Sequence, residues 1–165
     1  MPLLTLIRHA KSSWDYPELS DFERPLNERG RRDAPRMATR LARELRAPLT
    51  LISSPATRAL STARVFAEAL AVDFDAVRIE PRIYEASRRA LLELVKALPD
   101  DSPQVLLFGH NPGLSELAQT LTDCPFDEMP TCAVVQLQIE GRSWKQLAPG
   151  KGRLLSYQYP KDGLD

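Results

Sequence analysis

Three short runs of unbroken apolar character constrain this chain most: PLLTLIR (2–8), LTLIS (49–53) and QVLLFG (104–109). A strand covered on one face alternates apolar and polar residues. A strand covered on both faces, as in a parallel sheet, does not. Between these runs the apolar period turns helical. Met37, Ala38, Leu41, Ala42 and Leu45 form a stripe behind Asn27, a predicted N-cap. Pro35 inside that stripe predicts a kink or a late helix start. Ser54-Pro55 reads as the start of a helix carrying Ala59, Ala63, Phe66, Ala67 and Leu70. Ser87 predicts the cap of a helix through Leu91, Leu92, Leu94, Val95 and Leu98. Asn111-Pro112 opens one through Leu114, Leu117, Ala118 and Leu121. VRIEP (77–81) is a short strand candidate, and AVVQLQIE, SWKQLA and RLLSYQY near the end read as strands joined by Gly-containing turns.

Strands alternating with helices predict a three-layer α/β/α sandwich, with a mainly parallel sheet and an antiparallel edge near the C-terminus. No repeat, low-complexity segment or linker interrupts the pattern, so residues 1–165 are expected to form a single domain. In open sheets of this kind ligands bind beyond the carboxyl ends of the strands. Three of those ends carry chemistry: Arg8-His9, then Ser53-Ser54 with Arg58 a turn further on, then His110-Asn111. The chain holds only two histidines, and both end a buried run.

Two arginines and two imidazoles beside helix N-termini suit a dianion. Guanidinium groups match phosphate oxygens with paired hydrogen bonds, and helix starts add positive potential. No Gly-rich phosphate loop is present, so side chains must grip the phosphate. An imidazole with one nitrogen held as N–H is a nucleophile at the other, and a cationic second histidine would stabilise the transferring oxygens.

Composition removes other classes. With formal net charge zero, no global field draws the chain to nucleic acid or anionic lipid, and neither partner is expected. No apolar run is long enough to span a membrane, and LLTLI is too short for a secretory h-region, so a cytoplasmic protein is expected. Cys124 and Cys132 lack metal-type spacing and are expected to be reduced thiols. Arg36, Arg40 and Arg43 read as one solvated helix face.

Arg8-His9 after a first strand, the arginine in SSPATRALSTA, and GHNP after a later strand resemble the histidine phosphatase superfamily, with its phosphoglycerate mutase-like fold. RHAKSSW and DFERPLNERGRRDAPRM are similar to its SixA-type phosphohistidine phosphatase branch, and the resemblance runs from residue 3 to about residue 120. It implies a phosphatase without cofactor or metal, in which His9 becomes phosphorylated while Arg8, Arg58 and His110 hold the phosphate. Glu85, in RIYEAS, falls where many members carry a general acid; some phosphohistidine phosphatases have no carboxylate there. The implied substrate is a phosphorylated protein or a small phosphomonoester.

Each residue also has a plainer reading. Glu85 is either that acid or a solvated carboxylate ahead of Ser87. Asn111 fits a helix cap better than a substrate contact, and Ser12 and Ser13 are loop-formers or substrate contacts. Asn27 and Gly30 read as architectural. Trp14 either lines an entrance or pins its own loop. Rival functions are weaker. A mutase must enclose its phosphoenzyme and this chain has little material to do so. A metal hydrolase needs a ligand spacing that two histidines without HxH or HExxH do not provide. A non-catalytic phosphate reader would not need His9.

Overall fold

The computed structural model describes residues 1–160. Strands β1 (Leu3–Arg8), β2 (Thr50–Ser53), β3 (Arg78–Ile79) and β4 (Gln104–Gly109) run parallel, and β5 (Val134–Ile139) joins β1 antiparallel. β6 (Gly152–Gln158) pairs antiparallel with β5, giving one sheet in the order β3-β2-β4-β1-β5-β6. Helices α1 (Glu28–Ala42) and α2 (Thr57–Ala69) pack together, as do α3 (Arg88–Lys96) and α4 (Gly113–Leu121). This is the expected α/β class, mostly parallel with an antiparallel edge.

The unbroken apolar runs have the predicted cause. In β1, Leu4 and Leu6 join one core with Leu91, Val95, Leu114 and Leu117, while Ile7 joins the other with Met37, Leu41 and Phe66. Alternate side chains of β4 divide in the same way, Val105 and Leu107 to the first core, Leu106 and Phe108 to the second. Both faces of the sheet are therefore covered. Phe66 meets Phe108 edge to face at 5.4 Å between centroids, and truncating such a ring costs about 3–5 kcal/mol.

Asn27 caps α1 as predicted, its side chain accepting from Gly30 N–H at 2.8 Å. The helix does not start late. It runs from Glu28 through Pro35, because the cap fixes its start and Pro35 lies on the exposed side with Arg31, whose carbonyl Pro35 cannot serve. A Cβ at Gly30 would collide with the Lys11 carbonyl, so glycine is what lets α1 abut the loop after β1. α2 begins at Thr57, two residues beyond Pro55, with Ala56 at its cap. Ser87 caps α3, accepting from Ala90 N–H at 3.1 Å.

SWKQLA is not a strand. Ser143 to Gln146 form a capping box around a single 3-10 turn, which buries Trp144 and lets its indole N–H donate to Ser102 O at 2.8 Å. The S-x-x-Q spacing carried that signal, and an apolar reading of the segment overlooked it. VRIEP supplies only the two exposed residues of β3. Cys124 and Cys132 are both free thiols; burial pushes the Cys132 thiol far up, and it is inert in the core. Among the described residues no helix is long and apolar enough to cross a membrane.

Candidate functional site

Sheet register brings the strand ends together. Arg8 pairs with Gly109 across β1 and β4, so His9 and His110 leave the sheet side by side. Ser53 pairs with Phe108 across β2 and β4, which sets Ser54 beside Gly109, one residue before His110. The imidazole centroids of His9 and His110 are 5.2 Å apart.

His9 is 6% exposed. Its Nδ1 lies 2.8 Å from Ala10 O, and a carbonyl can only accept, so Nδ1 carries the proton and Nε2 keeps its lone pair. Burial, opposed by the Ala10 bond and assisted by His110, Arg58 and Arg8, lowers its pKa to about 3. His9 is thus neutral at physiological pH. His110 places Nε2 2.7 Å from Ser54 Oγ, and its Nδ1 is buried without a partner. Burial first, then Arg58, lowers its pKa to about 4, so the ring is neutral in this state rather than cationic.

Arg58, the second residue of α2, is buried. It donates through Nη1 to Asp21 O and, at 3.0 Å, through Nη2 to Asp21 Oδ2. Arg8 is half-buried and donates to Met129 O at 2.8 Å, with Glu128 at 3.7 Å; its Nε, like that of Arg58, is buried and unpartnered. Both guanidinium groups border one cavity, and paired N–H donors of this kind suit the oxygens of an oxyanion.

Asp21 ties the site together and was not foreseen as a functional residue. Its Oδ2 also accepts from Tyr84 O–H at 2.7 Å, and its Oδ1 from Arg24. The Tyr84 bond, with Arg58 and Arg24, lowers the Asp21 pKa to about 2, so this carboxylate stays ionised. Tyr84 in turn sets its ring edge-on to His110, at 5.6 Å between centroids. The signal for Asp21 and Arg24 was present in DFERPL, where three charged residues, Asp21, Glu23 and Arg24, stand in a Pro-punctuated loop.

Arg24 also organises the loop after β1. Its Nη1 donates to Ser12 Oγ at 2.7 Å and Ser13 O at 3.2 Å, and its guanidinium lies 3.6 Å beneath the Trp14 ring. Both readings of Trp14 therefore hold: it is stacked on its own loop, and it borders the cavity that holds His9. Ser13 is a loop-former whose hydroxyl accepts from Asp15 N–H, whereas Ser12 also borders the cavity. Asn111 is not a helix cap. Its Nδ2 donates to Met129 O and its Oδ1 accepts from Ser115 O–H, which anchors the segment that also receives Arg8. That use was invisible in the sequence, because Met129 lies eighteen residues away.

Two cavities meet here. One, of about 410 Å³, adds Arg8, His9 and Lys11 to the shared Asp21, Arg58, His110 and Asn111. The other, of about 500 Å³, adds Tyr84, Glu85, Pro112 and Glu116 to the same four. Glu85 therefore borders the site, on an exposed turn with φ 59°. A larger groove, of about 940 Å³, runs past Arg88, Leu92 and Gln119 and contains none of the converging residues, so size alone is a poor guide to the site. Among the described residues no group of three or more His, Cys, Asp or Glu could hold a metal ion.

The sequence pattern of the histidine phosphatase superfamily (branch 1) matches residues 4–88. The uncharacterized protein Rv1276c of Mycobacterium tuberculosis is 31% identical over 94% of this chain and the whole of its own length. SixA from Agrobacterium tumefaciens is 28% identical, with a TM-score of 0.78 over 96% of this chain and 98% of that one. A second SixA structure, in complex with tungstate, shares the fold at 20% identity and a TM-score of 0.78, over 95% and 96% of the two chains. An arginine-flanked histidine at the end of β1 and a second at the end of β4 thus have a family to go with them: the chain belongs to the histidine phosphatase superfamily, in its SixA-type branch, and is a hydrolytic phosphatase.

Proposed function

We propose that this enzyme removes phosphate from phosphohistidine in a protein substrate, through a covalent phosphohistidine on its own His9. The observation that carries the reading is the state of that ring. His9 is buried and neutral, its Nδ1 proton is committed to Ala10 O, and Nε2 is free in a cavity bordered by Arg8 and Arg58. Nε2 attacks phosphorus in line, the new N–P bond forms, and the leaving group departs with the electron pair of its own bond. Arg8, Arg58 and His110 donate to the equatorial oxygens as charge gathers there. Water then attacks phosphorus, the N–P electron pair returns to His9, and phosphate leaves.

Two points favour an imidazole leaving group. SixA from Agrobacterium tumefaciens, at 28% identity, is itself a proposed phosphohistidine phosphatase. Asp21, the carboxylate bound to Arg58, is held ionised with a pKa of about 2 and is a poor acid at neutral pH. Imidazole, with a pKa of about 6.5, leaves with little help, whereas an alkoxide does not.

A second reading, a small phosphomonoester as substrate, has one observation in its favour. Glu85 borders the cavity shared by Arg58 and His110, in a left-handed backbone conformation. A non-glycine residue there costs on the order of 1 kcal/mol, a strain that persists where a side chain is needed. The deciding experiment is a substrate panel of a phosphohistidine protein, alkyl phosphates and sugar phosphates, with the phosphoenzyme trapped. The proposal expects the highest kcat/KM on the phosphohistidine protein and an acid-labile, base-stable label on His9. A preference for sugar phosphates would hand the substrate to the second reading.

A further inference from the structure

Ser54 directly follows β2 and is fully buried. That oxygen accepts from Ala56 N–H at 3.2 Å and lies 2.7 Å from His110 Nε2. Among the described residues it makes no other hydrogen bond. A hydroxyl has one proton to give, and here a single acceptor can take it. Were Nε2 protonated, it would donate into Ser54 Oγ, and the serine proton would be buried with nothing to receive it. With Nε2 bare, the serine proton is satisfied and the imidazole proton sits on Nδ1. Nδ1 is the atom left buried and unpartnered.

We infer that Ser54 sets the tautomer of His110, so that the neutral ring presents an Nδ1–H donor to the transferring phosphoryl group. The inference rests on the reading that phosphoryl transfer takes place beside His9. The opposite tautomer would turn a lone pair toward anionic oxygens and repel them. The charged and titratable groups around the ring are Arg58 from α2, Arg8 and His9 from the end of β1, Asp21 from the loop before α1, and Tyr84 before α3, with Glu85 and, from α4, Glu116 on the same cavity. None of them hydrogen-bonds either ring nitrogen. Choice of tautomer therefore falls to the serine. Ser54 is on this account a positioning residue, acting through His110.

Nitrogen-15 spectra of histidine-labelled protein test this directly. The chain has two histidines, and His9→Ala leaves one, so assignment is complete. The wild-type His110 signals are expected to be those of a protonated Nδ1 and a bare Nε2. Ser54→Ala is expected to shift population toward Nε2–H, and Ser54→Thr, which keeps the hydroxyl, to restore the wild-type pattern. On an aryl phosphate, Ser54→Ala is expected to lose roughly tenfold in kcat/KM.

That deficit has a particular pH dependence. A donor to Nε2 favours the neutral ring, so its removal raises the His110 pKa from about 4. The cation carries Nδ1–H whichever tautomer preceded it, so the deficit should narrow as pH falls below neutral. A purely structural role would leave it constant. A wild-type spectrum showing Nε2–H overturns the inference even if no variant folds, and so does a deficit equal at every pH. Trapping His9 on the same samples separates the two ideas. A missing label with Nδ1–H intact sinks the phosphoenzyme route, and a normal label with Nε2–H sinks the tautomer.

Discussion

The two cavities that meet at Arg58 and His110 are lined very differently. The one beside His9 adds Arg8, Lys11 and Arg24, all cations, from β1 and the loop that follows it. The other adds Tyr84, Glu85 and Glu116 beside Pro112, and contributes no cation of its own. A phosphoryl group belongs in the first on electrostatic grounds, and whatever carries it must extend through the second. In the proposed reading the molecule has a phosphate end and a leaving-group end, built from separate stretches of chain. Variants on either side should therefore have different signatures.

The largest effect is expected at the phosphate end. His9→Ala removes the proposed nucleophile, and losses of at least about 10⁴-fold are expected for such a group. Rapid-quench labelling should find no phosphoenzyme, while circular dichroism stays native. A label on serine would break the comparison, since the first cavity would then not be where transfer occurs. Arg58→Ala should follow, at roughly 10²–10³-fold in kcat, because it removes a buried donor common to both cavities. The loss should be the same for every substrate tested.

Asp21→Asn sharpens the boundary. The amide keeps the shape but weakens the hold on Arg58 Nη2 and Tyr84 O–H, both now made to a carboxylate. A drop of about tenfold is expected, on the scale of one hydrogen bond to a charged group. Asp21 is half-exposed, so its contribution to stability is screened and small.

Burial of the two imidazoles predicts how stability follows pH. His9 and His110 have folded pKa values of about 3 and about 4, below the ordinary 6.5. The unfolded chain therefore binds more protons across the interval between these values and 6.5. Stability rises with pH through that window, is fully present above about 6.5, and is lost as pH falls toward 4 and 3. Calorimetry should show a lower Tm at pH 5 than at pH 7, by several degrees, since ~1 kcal/mol moves Tm by about 2–4 °C at this size. His110→Gln should flatten the slope.

The sequence carried the sheet, its helices and four of the converging side chains, because each leaves a local mark. Unbroken apolar runs announce strands covered on both faces, and a polar residue closing such a run stands at the rim. Arg58 was legible for the same reason, a cation just past the end of β2. Asp21, Tyr84 and Asn111 were less legible, since their roles depend on contacts across long separations: Tyr84 reaches Asp21 over sixty-three residues. Trp144 shows a different failure. Its segment is apolar enough for a strand, and the capping box around it decided otherwise. The neutral state of His110 was also beyond reach, because it follows from burial against Arg58 that only the assembled fold creates.

The smallest effect on a phosphohistidine substrate is expected at the leaving-group end, and it reads the substrate class. Glu85 borders only the second cavity, so its carboxyl can serve the departing group without touching the phosphate grip. If that group is imidazole, its nitrogen is basic enough to leave with little proton donation. Glu85→Gln, which keeps size and polarity, should then change the rate less than about threefold, well short of the effect of removing a working acid. If the group is an alcohol, the alkoxide must be protonated as it leaves, and a positioned acid is worth roughly 10²–10⁴-fold. Alkyl phosphates should therefore suffer most from the substitution, with aryl phosphates between. Single-turnover measurements on all three keep phosphoenzyme hydrolysis from masking the transfer step. Equal losses on all three would mean that Glu85 does not sense the leaving group, and the division of the site into two functional ends would fail at this residue.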